Sequence, residues 1–400
     1  MLDLRGLGAD PAVFGGRRPM MRASVILRRH VVAVAVLNLL VLAMLAIAVW
    51  TAADDDAVVG GEEAAALAAP ADQTNTAEVA GDVEISQNTV VVGGASASPT
   101  EPATDVSAMP VAPPRFPDPF EPAPNEVQAD AKRLGAEAVY LITNYGPDSS
   151  TTGLATGVTT DPTRTDVLAS MAEIVHHPGM WSRGTIEYAQ LGGHLDGGIS
   201  IMVVVRQEVG VEGVGEPERV ETRTMDVRLV RNDSGEWEFD ELASAGGQPL
   251  RRPVDLSPLA ASVVDNPRID LPDSAIWDIY SGHTDHALLQ TMTDIAERSP
   301  YSVVVLHTGH PHNVFGTPRL SNHSVGRAVD IHAVDSELVI DSHDLTSSTY
   351  ALSEWLVSRS DIKEFGSPWR FDEAVAHTFT NEVHHDHIHV GVFPDGHAAR

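Results

Sequence analysis

Two short segments near the C-terminus carry the residues whose types and spacing can do chemistry. The first reads SNHSVGRAVDIH and places His323 seven residues before Asp330; the second reads NEVHHDHIHVGV and holds four histidines within six residues. If the second segment is a strand, the side chains of His385, His387 and His389 point to one side of it. Two of them and the His/Asp pair then supply nitrogen and oxygen ligands at one centre. Three protein ligands and an exchangeable water are typical of catalytic zinc.

The strand that must present Asp330 is indicated by Val329 and Ile331, which alternate with it. A His323–Asp330 pair alone is more typical of a structural hydrogen bond than of a metal site. The later histidine cluster reverses that interpretation, because four histidines followed by an apolar stretch are hard to explain by packing. The chain contains no cysteine, so any metal must bind histidine, aspartate or glutamate.

The pattern SxHxxGxAxD, present from Ser321 to Asp330, is followed about 60 residues later by HxH, present as His387-Ile388-His389. Together these motifs resemble those of the zinc D-Ala-D-Ala metallopeptidases. That superfamily also includes lysostaphin-type endopeptidases and the hedgehog signalling domain, and the resemblance covers about residues 255–395. It implies that His323, Asp330 and His389 bind Zn²⁺ and that His387 lies near the metal-bound water.

The sequence departs from this family in two places. Members often carry an upstream SGYR stretch, whose arginine contacts substrate or stabilises the oxyanion. Here the corresponding piece reads HTGHPHNVFGT, so His310 or His312 takes that place, or substrate recognition differs. Carboxypeptidase members use a glutamate three residues before the last ligand, where this chain has Asp386. Glu382 precedes His385 by the same interval, and a shifted register is the alternative.

The chemistry that the resemblance implies is metal-assisted amide hydrolysis. Zinc lowers the pKa of its water toward roughly 7 and polarises the scissile carbonyl. A neutral His387, or alternatively Asp386, accepts the water proton and passes it to the leaving amine. His310 or Arg327 helps to hold the oxyanion. Hydrogen bonds from Asp335 or Asp386 fix the tautomers of the ligands.

The elements around the two motifs predict a small α+β zinc peptidase-like domain over residues 255–400, with a central antiparallel sheet. Helical spacing of apolar residues predicts helices over residues 284–298 and 348–358. Residues 301–306, which read YSVVVL, predict a buried strand, and residues 390–393 close the sheet.

Residues 126–250 predict a separate α+β domain. Two helices, over about residues 126–145 and 164–176, precede four strands with a clear turn at Asn232-Asp233-Ser234-Gly235. The predicted strands cover residues 185–191, 199–209, 220–231 and 237–242. This order is similar to the NTF2-like cone fold, but it includes no motif with a chemical role. His176 and His177 are more typical of histidines at a helix C-terminus than of a metal pair.

The N-terminal part predicts a membrane anchor and a tether. A transmembrane helix is predicted over residues 31–50. Residues 31–49 are apolar apart from Asn38, and nineteen residues span roughly 28 Å as a helix. Arginines precede this helix and acids follow it, so the basic tail of residues 1–30 is cytoplasmic and the rest lies outside. A cleaved signal peptide is the alternative. Residues 51–125, acidic and rich in proline, predict a disordered tether.

The net charge of the chain and its predicted membrane topology limit the classes of function that it can have. The chain has 56 acidic and 26 basic residues, a net charge of −30 that argues against a nucleic-acid partner. We expect a single-pass cell-membrane protein whose outer part is a zinc-dependent D-Ala-D-Ala carboxypeptidase- or endopeptidase-like hydrolase. Its substrates would be peptidoglycan stem peptides or cross-links of a bacterial cell wall. The alternative is a non-catalytic, hedgehog-like zinc module that binds the cell wall or a protein partner, which Asp386 and the missing arginine favour.

Overall fold

The computed structural model describes residues 112–371 and 377–394. These residues belong to one compact unit with a mixed α+β fold that contains two sheets. The predicted basic tail, the predicted membrane helix and the tether up to residue 111 lie outside the described residues. Among the residues that the structure describes, no helix has the length and apolar character needed to cross a membrane.

Residues 112–125, the last part of the predicted tether, pack against the body of the protein without forming a helix or strand. The guanidinium of Arg183 lies 4.1 Å from the ring centre of Phe116 and donates to the carbonyl oxygen of Pro114 at 2.5 Å. This cation–aromatic contact and hydrogen bond explain why the packed chain begins earlier than composition predicts.

The first sheet has four antiparallel strands in the order β1-β2-β3-β4. Its strands are β1 (Trp181–Leu195), β2 (Gly198–Gly210), β3 (Arg219–Arg231) and β4 (Trp237–Ser244). The helices that precede it are α1 (Ala129–Thr143), α2 (Thr151–Val158) and α3 (Pro162–Ala172). Helix α1 packs closely on the sheet because Gly135 has no side chain, and a Cβ there would lie 3.0 Å from the Cβ of Ile201.

The helices before the first sheet differ from the expectation in two respects. The helix predicted to reach residue 176 ends at Ala172, and α2 was not predicted. The sequence of α2, TTGLATGV, is rich in threonine and glycine, which are poor helix formers. Its start is stabilised by Ser150, whose hydroxyl accepts from the amide of Gly153. Asp161 caps α3 in the same way, with Pro162 in its first turn.

The second sheet has seven strands in the order β10-β9-β11-β7-β6-β5, with β8 paired to β7. Its strands are β5 (Ile269–Asp270), β6 (Tyr301–Val305), β7 (Ala328–Val334), β8 (Glu337–Leu338), β9 (Ile362–Gly366), β10 (His377–Phe379) and β11 (Ile388–Val392). Its helices are α4 (Pro258–Val264), α5 (Asp273–Tyr280), α6 (His286–Arg298) and α7 (Ser348–Val357). The central strands pair antiparallel, and the pairs β9–β10 and β5–β6 at the edges are parallel.

The core of this second layer is apolar and continuous. Leu288, Met292 and Ile295 of α6 lie on one helix face and are fully buried, as the helical spacing predicts. They pack with Val329 and Ile331, the neighbours of Asp330 on β7. Since successive side chains of a strand alternate between faces, Asp330 points away from this core.

The two sheets contact each other directly. Tyr188, Met202 and Val204 of the first sheet form a buried apolar cluster with Val304 and Val305 of the second. Apolar burial of this kind stabilises the joint and excludes water from the polar groups beside it.

Candidate metal centre

Asp330 and His389 face each other across neighbouring strands. They are paired in the β7–β11 register, and directly opposed residues project their side chains to the same face. The Nδ1 atom of His389 lies 2.9 Å from Oδ1 of Asp330. Both residues are buried. One antiparallel pair therefore brings together a carboxylate and an imidazole that lie 59 residues apart in sequence.

His323 reaches the same point from a tight turn before β7. It opens a 3-10 turn that ends at Gly326, whose φ is 69°. A Cβ at Gly326 would lie 1.8 Å from the carbonyl oxygen of His283, so this turn requires glycine. The Nδ1 atom of His323 donates to the carbonyl oxygen of Leu306 at 2.6 Å, which leaves its Nε2 lone pair for the centre.

Three ligand atoms converge at this centre. His323 Nε2 lies 3.2 Å from both Asp330 Oδ1 and His389 Nδ1, and the third edge of the triangle is 2.9 Å. Bonds of about 2.0–2.1 Å at tetrahedral angles place the ligands of zinc roughly 3.3 Å apart. The triangle therefore has the size of a three-residue zinc site, and only small movements are needed to fit the ion.

His310 is a third histidine beside the triangle. Its ring stacks on that of His323 with a centroid distance of 3.9 Å, and burial lowers its pKa well below the ordinary value. His310, His323 and Asp330 also form a group that can hold a metal ion, since each brings one ligand atom within 4.8 Å of the others. His389 is the alternative third ligand, because its Nδ1 lies within 3.2 Å of both shared ligand atoms, a spacing that fits a four-coordinate ion.

Further polar groups orient the ligands. Glu364 on β9 accepts from Nε2 of His389 at 3.1 Å, which leaves Nδ1 directed at the centre. Gln190 on β1 donates to Oδ2 of Asp330 at 2.8 Å. Although burial lowers the pKa of His389, hydrogen bonds to Asp330 and Glu364 raise it to about 10. The two carboxylates thus create a field that favours a cation at this position.

His387 lies next to the ligands and belongs to a second buried hydrogen-bond network. Its Nδ1 donates to Oδ1 of Asp386 at 2.6 Å, and its Nε2 lies 3.8 Å from Oδ2 of Asp330. Asp386 also accepts from Nζ of Lys132 at 2.5 Å and from the amide of Leu191 at 2.9 Å. Burial raises the pKa of Asp386, but Lys132 and His387 outweigh it and hold the pKa at about 2. Asp386 is therefore ionised and fixes the tautomer that leaves Nε2 of His387 as an acceptor.

A cavity of about 610 Å³ opens onto this centre. Asp330, His387 and His389 line it, together with Leu191, Gly192, Gly193, His194 and Met202 of the first sheet. Arg319 is the only arginine among the described residues that line it. The side chain of Arg319 is 64% exposed and lies 4.0 Å from Glu364. The cavity therefore has room for a small ligand beside the candidate metal centre.

Several residues proposed from the sequence lie elsewhere. Arg327 is not among the described residues that line the cavity, and its guanidinium is 3.9 Å from Asp285. His312 and Asp335 are exposed, and neither lines the cavity. Glu382 is exposed and bonds to His194 at 2.8 Å, so the shifted register is not what the chain adopts.

The alternation of the histidine cluster predicted one continuous strand, but the structure does not have one there. Strand β11 begins at Ile388, and residues Glu382–His384 form a 3-10 turn. His385 therefore does not join the ligands, and its carbonyl oxygen accepts from His343. The reason is local, since Asn381 caps the turn by accepting from the amide of His384.

Three residues of the centre were not predicted: Gln190, Glu364 and Lys132. Of these three, only Lys132 could have been recognised from the sequence. It lies on the same face of α1 as Gly135, Ala136 and Val139, where a lysine is rarely buried without a partner. Gln190 and Glu364 have no such signal, because their partners are set by which strands are neighbours.

Comparison with known families gives no match for this chain, and comparison with curated protein sequences gives none either.

Proposed function

We propose that this protein is an extracytoplasmic zinc metallopeptidase that hydrolyses peptide bonds in peptidoglycan stems or cross-links. The observation that supports it most is the triangle of His323, Asp330 and His389, two of which, Asp330 and His389, line an open cavity. In this proposal the helix predicted over residues 31–50 anchors it in the membrane, and the part of the predicted tether before residue 112 joins the two. The two α+β parts then correspond to an NTF2-like domain and a zinc peptidase-like domain.

The donor set fits zinc. Two imidazoles and one carboxylate are ordinary zinc ligands, and three of them leave one position open for exchange. Each ligand has a hydrogen-bond partner on its far side: the Leu306 carbonyl, Gln190 and Glu364. A zinc ion held there supplies Lewis acidity, which lowers the pKa of water toward roughly 7 and polarises a carbonyl.

The residues around the ligands perform the proton transfers. Nε2 of His387 accepts a proton from the attacking water and delivers it to the leaving amine. Asp386 holds that ring in the required tautomer and stabilises the imidazolium that forms. Arg319, at the cavity mouth, binds the carboxylate of the peptide. The sequence also suggested His310 for the oxyanion, but its Nδ1 donates to the carbonyl oxygen of Pro311 at 2.7 Å, and burial lowers its pKa, so Nε2 of this ring is an acceptor.

A zinc-containing binding module for the cell wall or a protein partner is the second candidate. It is favoured by the exposed position of Arg319, because no other arginine among the described lining residues is available for the oxyanion. Such a module would bind peptides in the same cavity without cleaving them.

The decisive comparison uses the full chain with an N-acylated L-Lys-D-Ala-D-Ala peptide and with cross-linked muropeptides. We expect cleavage that stops when a chelator removes the metal and returns when zinc is added. The matching peptide that ends in L-Ala-L-Ala is the control for stereochemistry. Binding of the probes without cleavage would identify the binding module, and cleavage that resists the chelator would rule out the metallopeptidase.

A further inference from the structure

The first sheet contributes two consecutive residues to the metal centre. The Gln190 side chain donates to the ligand Asp330 across 140 positions of sequence. The next residue, Leu191, donates its amide to Asp386, which orients His387. Strand β1 thus donates hydrogen bonds both to Asp330 and to Asp386, the carboxylate that orients His387.

Helix α1 adds a third contact from the same side. The ammonium of Lys132 is fully buried and bonds to Asp386 at 2.5 Å and to Glu126. Tyr188, also on β1, donates to Glu126 at 2.9 Å and so completes the network. Every member of this network is buried, which keeps its geometry fixed and its charges unscreened.

Gln190 is placed for the ligand rather than for the stability of its own sheet. Its side chain is completely buried, and its Oε1 atom has no hydrogen-bond partner among the described residues. An unsatisfied buried acceptor costs free energy that leucine or methionine would avoid. Turning the amide over would aim Oε1 at the Asp330 carboxylate, so the donor orientation is the one that the site requires.

We propose that the first sheet is an integral part of the metal centre, in which Gln190 is a positioning residue for Asp330. Lys132 and the Leu191 amide are positioning groups for His387 by way of Asp386. This inference rests on the proposed zinc site and adds that the second sheet alone does not complete it. Groups that orient zinc ligands typically change metal affinity when they are removed.

The test compares two glutamines of the same sheet. Gln190→Met removes the donor to Asp330 at nearly constant volume. Gln207→Met is the matched control, because Gln207 is also buried and donates at 2.8 Å to Val175 and Ser182, away from the centre. The zinc Kd of the full chain is measured by competition with a chromogenic chelator, and the Tm of each variant is recorded beside it.

We expect the zinc Kd to rise about 10–100-fold in Gln190→Met and to stay within about twofold in Gln207→Met. Gln190→Leu also removes the donor without adding a charge, and it is expected to weaken zinc binding as well. It serves as the second variant if Gln190→Met does not fold.

Two results would overturn the inference, and they can be told apart. Equal zinc Kd values in the Gln190 and Gln207 variants would leave the zinc site in place and remove the role of the first sheet. Zinc binding that is absent in the parent chain, or unchanged in His389→Ala, would instead reject the metal centre and the proposed function with it.

Discussion

Replacing His387 with alanine is expected to lower kcat for amide hydrolysis about 10²–10⁴-fold, the contribution typical of a positioned general base. The Nε2 atom of His387 lies 3.8 Å from Oδ2 of Asp330, and Nδ1 of the same ring donates to Asp386. The zinc content should stay at about one ion per chain, because the three ligands remain. Steady-state kinetics on the D-Ala-D-Ala peptide, with elemental analysis of the same sample, measure both quantities.

His343→Ala is the control for this prediction. His343 bonds to the carbonyl oxygen of His385 and does not line the cavity, so kcat should stay at the parent value. An unchanged kcat in His387→Ala would exclude His387 as the proton acceptor. Loss of zinc in that variant would make His387 a ligand and require a different base.

Replacing Lys132 with methionine is expected to lower the free energy of unfolding by about 3–5 kcal/mol, since removal of one partner of a buried ion pair leaves an uncompensated charge. Asp386 and Glu126 both bond to this ammonium, and all three side chains are almost completely buried. Burial raises the pKa of Glu126 and Lys132 opposes that rise, so Glu126 takes up a proton first when the cation is lost. Urea unfolding at pH 7 measures the change.

Arg252→Met provides the comparison at the surface. Arg252 pairs with Asp265 through two hydrogen bonds of 2.5 and 2.7 Å, and both side chains are about half exposed. Exposed pairs contribute little, so this variant should unfold at nearly the parent urea concentration. If both variants behave alike, the buried network does not bind the first sheet to the centre as described.

The placement of His323 and Asp330 was within reach of sequence reasoning, because it depends on a local turn and a strand. Asp330 sits between apolar neighbours, and Gly326 marks the turn that presents His323. The four strands of the first sheet were also predictable, since their apolar periodicity is strong and Asn232 marks a turn. Helix α2 was missed because its stabilisation comes from a cap and from packing rather than from propensity.

The residues that orient the candidate ligands could not be predicted from the sequence, for a different reason. Gln190 meets Asp330, and Lys132 meets Asp386, across 140 and 254 positions of sequence. Such contacts depend on how two sheets pack, which local periodicity does not encode. The histidine cluster failed as one strand because a capped turn interrupts it before Ile388. Asp386 thereby points away from the ligands and behind His387.

Counting zinc in the full chain tests the central claim most directly. The parent protein and His389→Ala are purified without added chelator, dialysed against zinc, freed of excess metal and measured by elemental analysis. We expect about one zinc per parent chain and nearly none in the variant, because His389 completes the triangle with His323 and Asp330. A parent chain without zinc, or a variant that keeps it, would contradict the metal centre.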